Sequence, residues 1–269
     1  MRKIHITYNA QEQKRITNPI LSEEPDVLYY ISHHGEIEDI FLNFKKMNLE
    51  TIKNNLKNCK IIEKEVDYIN YYDIISNLAK IISSEIAKSE DNKIIFTINM
   101  GTGSKMVAIA NIDASRLWNN IILIYPYSLD YDPSAESAHS GIMYSAEPPE
   151  FKFNKPSIEL IKAMQILYWL MLNDKFERKR DFVLQRDWQN AIFNKYKIRN
   201  VKKNENSRDR DTSEKMSLNR AIINPLTEKW KFIYREKQGR DYKIYFTEAG
   251  FNMVRVFMNF NYGINFDEK

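Results

Sequence analysis

The chain is poor in cysteine, histidine and glycine, and each scarcity removes a class of protein. One cysteine, Cys59, stands among 269 residues; a single thiol closes no intrachain disulfide and leaves too little sulfur for a structural zinc site. The four histidines, His5, His33, His34 and His139, share no helical or metal-ligand spacing, so neither a metal nor a resident cofactor is expected. No run of about 18 apolar residues occurs, which argues against a membrane-spanning helix. The opening MRKIHITYN reads as a charged strand rather than a leader, so a cytoplasmic protein with no membrane partner is expected. Only seven glycines are present, and two of them, Gly101 and Gly103, fall in one short turn.

What is present suits two globular domains, since 43% of the residues are hydrophobic and 13% aromatic, enough to fill real cores. Charge separates the halves. Residues 1–150 hold 15 Lys and Arg against 21 Asp and Glu, a net −6, whereas residues 151–269 hold 25 against 15, a net +10. A basic half behind an acidic one points to a polyanion as partner of the C-terminal half, because clustered Lys and Arg release counterions from nucleic acid.

In residues 1–150 apolar runs alternate with helical periodicities. Strands are expected at Ile4 to Tyr8, Val27 to Ser32, Lys60 to Tyr68, Ile94 to Ile98 and Ile121 to Tyr125. Helices are expected over Ile37 to Leu56 and Tyr71 to Ala87, where Ile, Leu, Phe and Met recur three and four residues apart. Strands separated by helices imply an α/β fold, a Rossmann-like, doubly wound and mainly parallel sheet. Such sheets bind ligands beyond the carboxyl ends of their strands.

At one such end stands Asn99-Met100-Gly101-Thr102-Gly103-Ser104-Lys105, between the run Ile94 to Ile98 and the helix-like MVAIANIDASRLW. A strand passing through a Gly-rich turn into a helix gathers free N–H groups, the helix dipole and a Lys around one volume, which suits a phosphate. The motif is not a P-loop, because Ser104 precedes Lys105 and no Gly has the required spacing; nor is it a dinucleotide fingerprint, because Met106 stands where the third Gly belongs. Read by itself, the turn serves equally as a tight strand-to-helix connection capped by Thr102 or Ser104. Asn9-Ala10-Gln11-Glu12, after the first strand, opens on the same edge or is an ordinary turn.

The sequence NMGTGSKMVAIA resembles the N-x-[ST]-G-G-[ST]-K-x-M signature of the CARF domain, the cyclic-oligoadenylate sensor of CRISPR-linked proteins, with Gly101-Thr102-Gly103 in place of the paired glycines. The opening KIHITYNAQEQKRITNPILSEEPDVLYYIS resembles the start of archaeal CARF proteins that carry a winged helix. The resemblance implies a homodimer whose two turns face a cyclic oligoadenylate across a twofold axis. It also implies ligand contacts from Asn9, Gln11, Asn99, Gly101, Thr102, Gly103, Ser104 and Lys105.

In residues 151–269 a helix is expected from Ser157 to Leu172, led by Pro156, and another over Asp181 to Tyr196. The charged stretch Arg199 to Lys215 is expected as a loop. Beyond it Leu218, Ile222 and Leu226 share a helical face, and Pro225 should bend or end that helix. Phe232 to Tyr234 and Tyr242 to Phe246 read as strands around a charged turn, and a last helix begins at Glu248. This is an α+β winged helix-turn-helix. Gly239-Arg240 and Thr247-Glu248-Ala249-Gly250 resemble the wing and the Thr-Glu-x-Gly of MarR-like regulators. Ser217, Asn219, Arg220 and Lys229 on the recognition helix and Arg235, Lys237 and Arg240 on the wing are then the DNA contacts. Trp230, Phe232 and Tyr245 are expected in the core.

A nuclease is not expected. The HEPN ribonuclease signature needs a His soon after an Arg, and none follows His139; Asp241-x-Lys243 lacks the converging carboxylates of a metal nuclease. The expected function is a dimeric, non-enzymatic transcription regulator that binds a cyclic oligonucleotide and DNA. A CARF-type ring nuclease whose winged helix serves assembly is the alternative.

Overall fold

The computed structural model describes residues 1–35, 38–89, 93–148, 155–172, 181–198, 207–239, 241–264 and 266. The chain divides into two compact units, Met1–Phe153 and Asn154–Lys269. No described helix is long and apolar enough to cross a membrane, and the described residues hold no group of three or more metal-ligating side chains.

In the N-terminal unit the elements run β1 (Arg2–Tyr8), α1 (Lys14–Glu23), β2 (Val27–His33), α2 (Asp39–Asn55), β3 (Lys60–Val66), α3 (Tyr71–Ala87), β4 (Ile94–Asn99), α4 (Lys105–Leu117), β5 (Ile121–Tyr131) and β6 (His139–Ala146). They form one Rossmann-like sheet of order β3-β2-β1-β4-β5-β6, parallel up to β5 and closed by antiparallel β6. β1 and β2 are almost wholly buried, as strands covered by helices on both faces must be. α1 packs on α2, and α3 on α4. Right-handed crossovers put these pairs on opposite faces of the sheet, and the strand order reverses between β1 and β4.

The two edge strands differ. β3, Lys-Ile-Ile-Glu-Lys-Glu-Val, exposes charged side chains, the usual guard against edge-to-edge pairing. β6, His-Ser-Gly-Ile-Met-Tyr-Ser-Ala, has none of Lys, Arg, Asp or Glu. The sequence pattern missed two elements here. α1 carries Pro19 inside it and is anchored by only Ile16 and Ile20, too sparse for a periodicity. β6 is mostly solvent-exposed and so lacks the alternation that marks a half-buried strand.

In the C-terminal unit α5 (Ile158–Leu172) is followed by β7 (Phe182–Leu184), α6 (Gln185–Asn190), α7 (Ser207–Leu218), β8 (Ile233–Gln238), β9 (Asp241–Phe246) and α8 (Glu248–Phe257). The strands make an antiparallel sheet of order β7-β9-β8, and the whole is a winged helix domain. Trp188 is fully buried and its indole N–H donates to the Ala163 carbonyl at 3.0 Å. Thr247 caps α8, accepting from Gly250 N–H at 3.1 Å and donating to the Lys231 carbonyl at 2.7 Å. A Cβ on Gly250 would lie 1.9 Å from the Phe232 carbonyl oxygen, which gives the Thr-Glu-x-Gly pattern its physical reason: only glycine lets helix and strand approach this closely.

Three expectations are corrected here. The helix expected over Asp181 to Tyr196 begins at Gln185, because Phe182, Val183 and Leu184 pair with β9. Of the expected loop Arg199 to Lys215, the part from Ser207 onward is helix α7; it holds no Pro or Gly to stop one, and residues 199–206 lie outside the described residues. Of the two outcomes expected at Pro225, a bend or an end, the helix does not end there. α7 continues through π-helical turns at Asn219–Ile223 and Pro225–Lys229, and Trp230 N–H reaches the Pro225 carbonyl five residues back at 3.0 Å. The wider winding accommodates the missing proline N–H without ending the helix.

Candidate functional site

The carboxyl ends of β1 and β4, at the point where the strand order reverses, hold the two segments singled out in the sequence. Asn99 is fully buried. Its side-chain N–H donates to the Arg15 carbonyl and its oxygen accepts Gly101 N–H, both at 2.9 Å, so it braces the turn from beneath. Asn9 is likewise an internal brace: its amide donates to the Phe41 carbonyl at 3.0 Å and accepts from the Tyr30 hydroxyl at 2.8 Å. Gln11 stays at the surface and donates to the Glu136 carbonyl at 2.7 Å.

Gly101 has no room for a side chain, since a Cβ would meet Pro126 Cδ at 2.9 Å and the Arg15 guanidinium at 3.1 Å. Gly103 turns through φ +86°, the left-handed region that favours glycine. Ser104 caps α4, accepting from Val107 N–H at 3.2 Å while its hydroxyl donates to the Tyr68 carbonyl. Among the described residues, no acceptor meets the main-chain N–H groups of Thr102, Gly103, Ser104, Lys105 or Met106. Thr102 is buried with its hydroxyl unpartnered, and Lys105 is exposed at the first position of α4. A row of unpaired donors at a helix N-terminus beside an exposed ammonium is chemically an anion cradle.

Sequence pattern gave no sign of Arg15, which holds this edge together. Its buried guanidinium donates to the Gly101 carbonyl on the turn, to the Pro126 carbonyl of β5 at 2.9 Å, and to Glu12 at 3.4 Å. It also lies 5.7 Å above the Tyr125 ring. Glu12 in turn approaches Ser137 at 3.5 Å and His139 at 3.9 Å. Burial pushes the Glu12 carboxyl above its ordinary range against the pull of Arg15, while burial and then the charge of Arg15 hold His139 below its ordinary value. The signal for Arg15 is its place in a segment following a strand end, but α1 itself was not legible.

In the winged helix domain Leu218, Ile222 and Leu226 are fully buried, as the shared face requires. Ser217 and Asn219 are half-buried, whereas Arg220, Lys229, Arg235 and Lys237 are exposed. Helix and wing meet where Arg235 donates to the Asn219 side-chain oxygen at 3.4 Å. Arg235 also lies 4.9 Å above Tyr242, and Lys229 5.3 Å above Trp230. Arg240 lies outside the described residues. The aromatic expectation is corrected: Trp230, Phe232 and Tyr245 are half-exposed rather than core. Tyr245 stands between Tyr234, at 4.9 Å, and Phe182, at 5.7 Å, in a ladder across the three strands.

Residues 3–130 match the family model described as HFX_2341_N-like, N-terminal, and residues 181–258 match the DUF6293 C-terminal winged helix domain. No curated protein matches the chain. Among solved structures, Csm6 from Enterococcus italicus, bound to cyclic hexa-2'-fluoro-hexa-dAMP, aligns with TM-score 0.41 and 12% identity over 49% of this chain and 35% of its own. Can2 from Sulfobacillus thermosulfidooxidans, in complex with cyclic tetra-adenylate, aligns with TM-score 0.34 and 15% identity over 96% and 64%. Protein VC1899 from Vibrio cholerae aligns with TM-score 0.37 and 13% identity over 96% and 64%. The chain thus spans between about a third and two thirds of these structures' lengths.

Proposed function

For a chain that joins an HFX_2341_N-like N-terminal domain to a DUF6293-type winged helix domain, we propose a dimeric, ligand-responsive DNA-binding regulator. Residues 1–150 bind a cyclic oligoadenylate or a related cyclic nucleotide, and residues 151–269 bind DNA. The observation that carries the reading is the row of unpaired amides from Thr102 to Met106 beside Lys105, in the segment that resembles the CARF signature. Phosphate oxygens accept from these amides and from the Lys105 ammonium. Asn99 and Arg15 shape the turn from behind, and Asn9 acts as a brace rather than a contact. A ligand that favours one arrangement of the two subunits changes operator affinity through the recognition helices.

Calorimetry with cyclic tetra- and hexa-adenylate tests the sensor: heat with one of them, reduced at least about tenfold in affinity by Lys105→Ala, is expected for a charge-assisted phosphate contact. No heat with either ligand overturns the reading. For the DNA half, Arg220→Ala combined with Arg240→Ala should lower affinity for promoter DNA and flatten its salt dependence. An unchanged slope removes DNA from the proposal.

One observation favours a second reading, the ring nuclease. Glu12 and His139, 3.9 Å apart and each shifted toward its neutral form, are proton-transfer groups tied through Arg15 to the Gly-rich turn. Cleavage would have a ribose 2′-hydroxyl lose its proton to a base and attack the adjacent phosphorus, with the 5′-oxygen leaving and taking a proton. Linear products after incubation of the ligand, abolished by His139→Ala, separate this reading from a receptor.

A further inference from the structure

The two helices of the helix-turn-helix end on one short pattern, Lys-aromatic-Lys-apolar. Beyond Asn190, α6 continues as a π turn over Ala191–Lys195 and closes through Lys195-Tyr196-Lys197-Ile198. The recognition helix closes its π turn Pro225–Lys229 through Lys229-Trp230-Lys231-Phe232. The hydrogen bonds repeat as well. Tyr196 N–H reaches the Ala191 carbonyl at 2.8 Å and Ile198 N–H the Ile192 carbonyl at 3.0 Å; Trp230 N–H reaches the Pro225 carbonyl at 3.0 Å and Phe232 N–H the Leu226 carbonyl at 2.8 Å. To make the turn, Lys197 and Lys231 take φ of +48° and +54°, the left-handed conformation that glycine adopts at helix ends without steric cost.

Glycine would make either turn at lower cost, so the lysine side chain is what each position keeps. Both side chains are exposed, and among the described residues neither ammonium has a partner. The lysine before each ring is differently placed: Lys195 lies 4.5 Å from the Trp169 ring and 5.2 Å from Tyr196, and Lys229 lies 5.3 Å from Trp230. As the last residues of the π turns, Lys195 and Lys229 already answer the partial negative charge at a helix C-terminus. The conformation itself does not call for a cation. The one other non-glycine that adopts it among the described residues is Glu24, at the end of α1 in the acidic half.

We propose that Lys197 and Lys231 contact the phosphates of duplex DNA at two places that the recognition helix and wing do not supply. The proposal rests on the reading that residues 151–269 bind DNA, and adds a sequence-independent anchor at the end of each helix. An ammonium on a flexible stem acts as a point charge and suits a phosphodiester without a fixed approach. Such contacts set affinity and register and leave the choice of bases to other residues. The net +10 of residues 151–269 favours a continuous polyanion over an acidic patch on another protein.

Binding of the full chain to a random-sequence duplex, titrated over a series of salt concentrations, tests this with Lys197→Gly, Lys231→Gly and the double variant. Each single substitution should lower the slope of log affinity against log salt by about one, and affinity at about 0.15 M salt by about fivefold. The double variant should lose about two units of slope. Urea unfolding should show no earlier transition in any of them, because glycine is at ease in the left-handed turn. Lys197→Arg and Lys231→Arg keep the charge and should keep the wild-type slope. A wild type that binds no duplex overturns the DNA reading and these contacts with it. A wild type that binds, with a slope that the double Gly variant leaves unchanged or that the Arg variants lose as the Gly variants do, overturns the two lysine contacts alone.

Discussion

The Gly101–Lys105 turn and the face formed by the recognition helix and wing both offer donors to an anion, and they hold those donors by opposite means. At the turn the donors are backbone amides fixed from behind by the buried Asn99 and Arg15 side chains and by the half-buried Ser104. On the winged helix face they are the exposed tips of Arg220 and Lys229 on the helix and of Arg235 and Lys237 on the wing. If each binds its anion as proposed, the first acts through geometry and should fail abruptly when a brace is removed, and the second acts through summed charge and should fail gradually.

The largest effect that would sharpen this contrast comes from the one place where the winged helix depends on geometry. Gly250→Ala puts a methyl against the Phe232 carbonyl, and a loss of about 3 kcal/mol is expected, read by urea unfolding of the full chain as an earlier transition. Close behind stands Arg15→Met, which strands the buried Glu12 and frees two carbonyls. About 3 kcal/mol of stability should disappear with it, together with cyclic-nucleotide binding measured by calorimetry. If Arg15→Met keeps wild-type affinity, the cradle does not depend on its braces and the contrast is lost.

Smaller effects belong to the charge-driven surface. Replacing Arg220 or Lys237 singly by Ala should leave the melting temperature unchanged and lower the slope of log affinity against log salt by about one unit for each lost phosphate contact. The smallest expected effect is on pH dependence. Glu12 has a raised folded-state pKa, so its contribution is present below the ordinary carboxylate range and is lost as pH rises through the folded value. Glu23 runs the other way. Its burial is outweighed by bonds from His5 and Thr97 and by the charge of Lys3, leaving it lowered, so its contribution is present above the ordinary range and is lost as pH falls. Glu12→Gln should therefore gain on the wild type as pH rises above the ordinary carboxylate range; chemical unfolding at a series of pH values measures it.

Much of the fold was legible because burial writes itself into sequence. β1, β2 and β4 are apolar runs since helices cover both their faces, and the Leu218, Ile222 and Leu226 stripe is helical since it faces a core. α1 and β6 escaped notice because one buries few side chains and the other buries almost none. Of the candidate site, Gly101, Gly103, Ser104 and Lys105 could be found from local chemistry alone. Arg15 and Glu12 could not, for their role exists only where the chain's long-range pairing brings β5 and the turn to α1. Asn9 and Asn99 were placed correctly at the edge, yet a sequence does not tell which way an amide points.

The π turns at Asn219–Ile223 and Pro225–Lys229 carry a consequence for how this helix can vary. A π turn amounts to one residue inserted into an α-helix, and it rotates everything after it by roughly a quarter turn. Deleting a single residue in the second π turn would return that turn to ordinary winding and swing Trp230 around the axis while Leu218 and Ile222 stayed in the core. The segment is therefore a phase adjuster, in which a change of length, rather than a change of side chain, redirects which residues face outward.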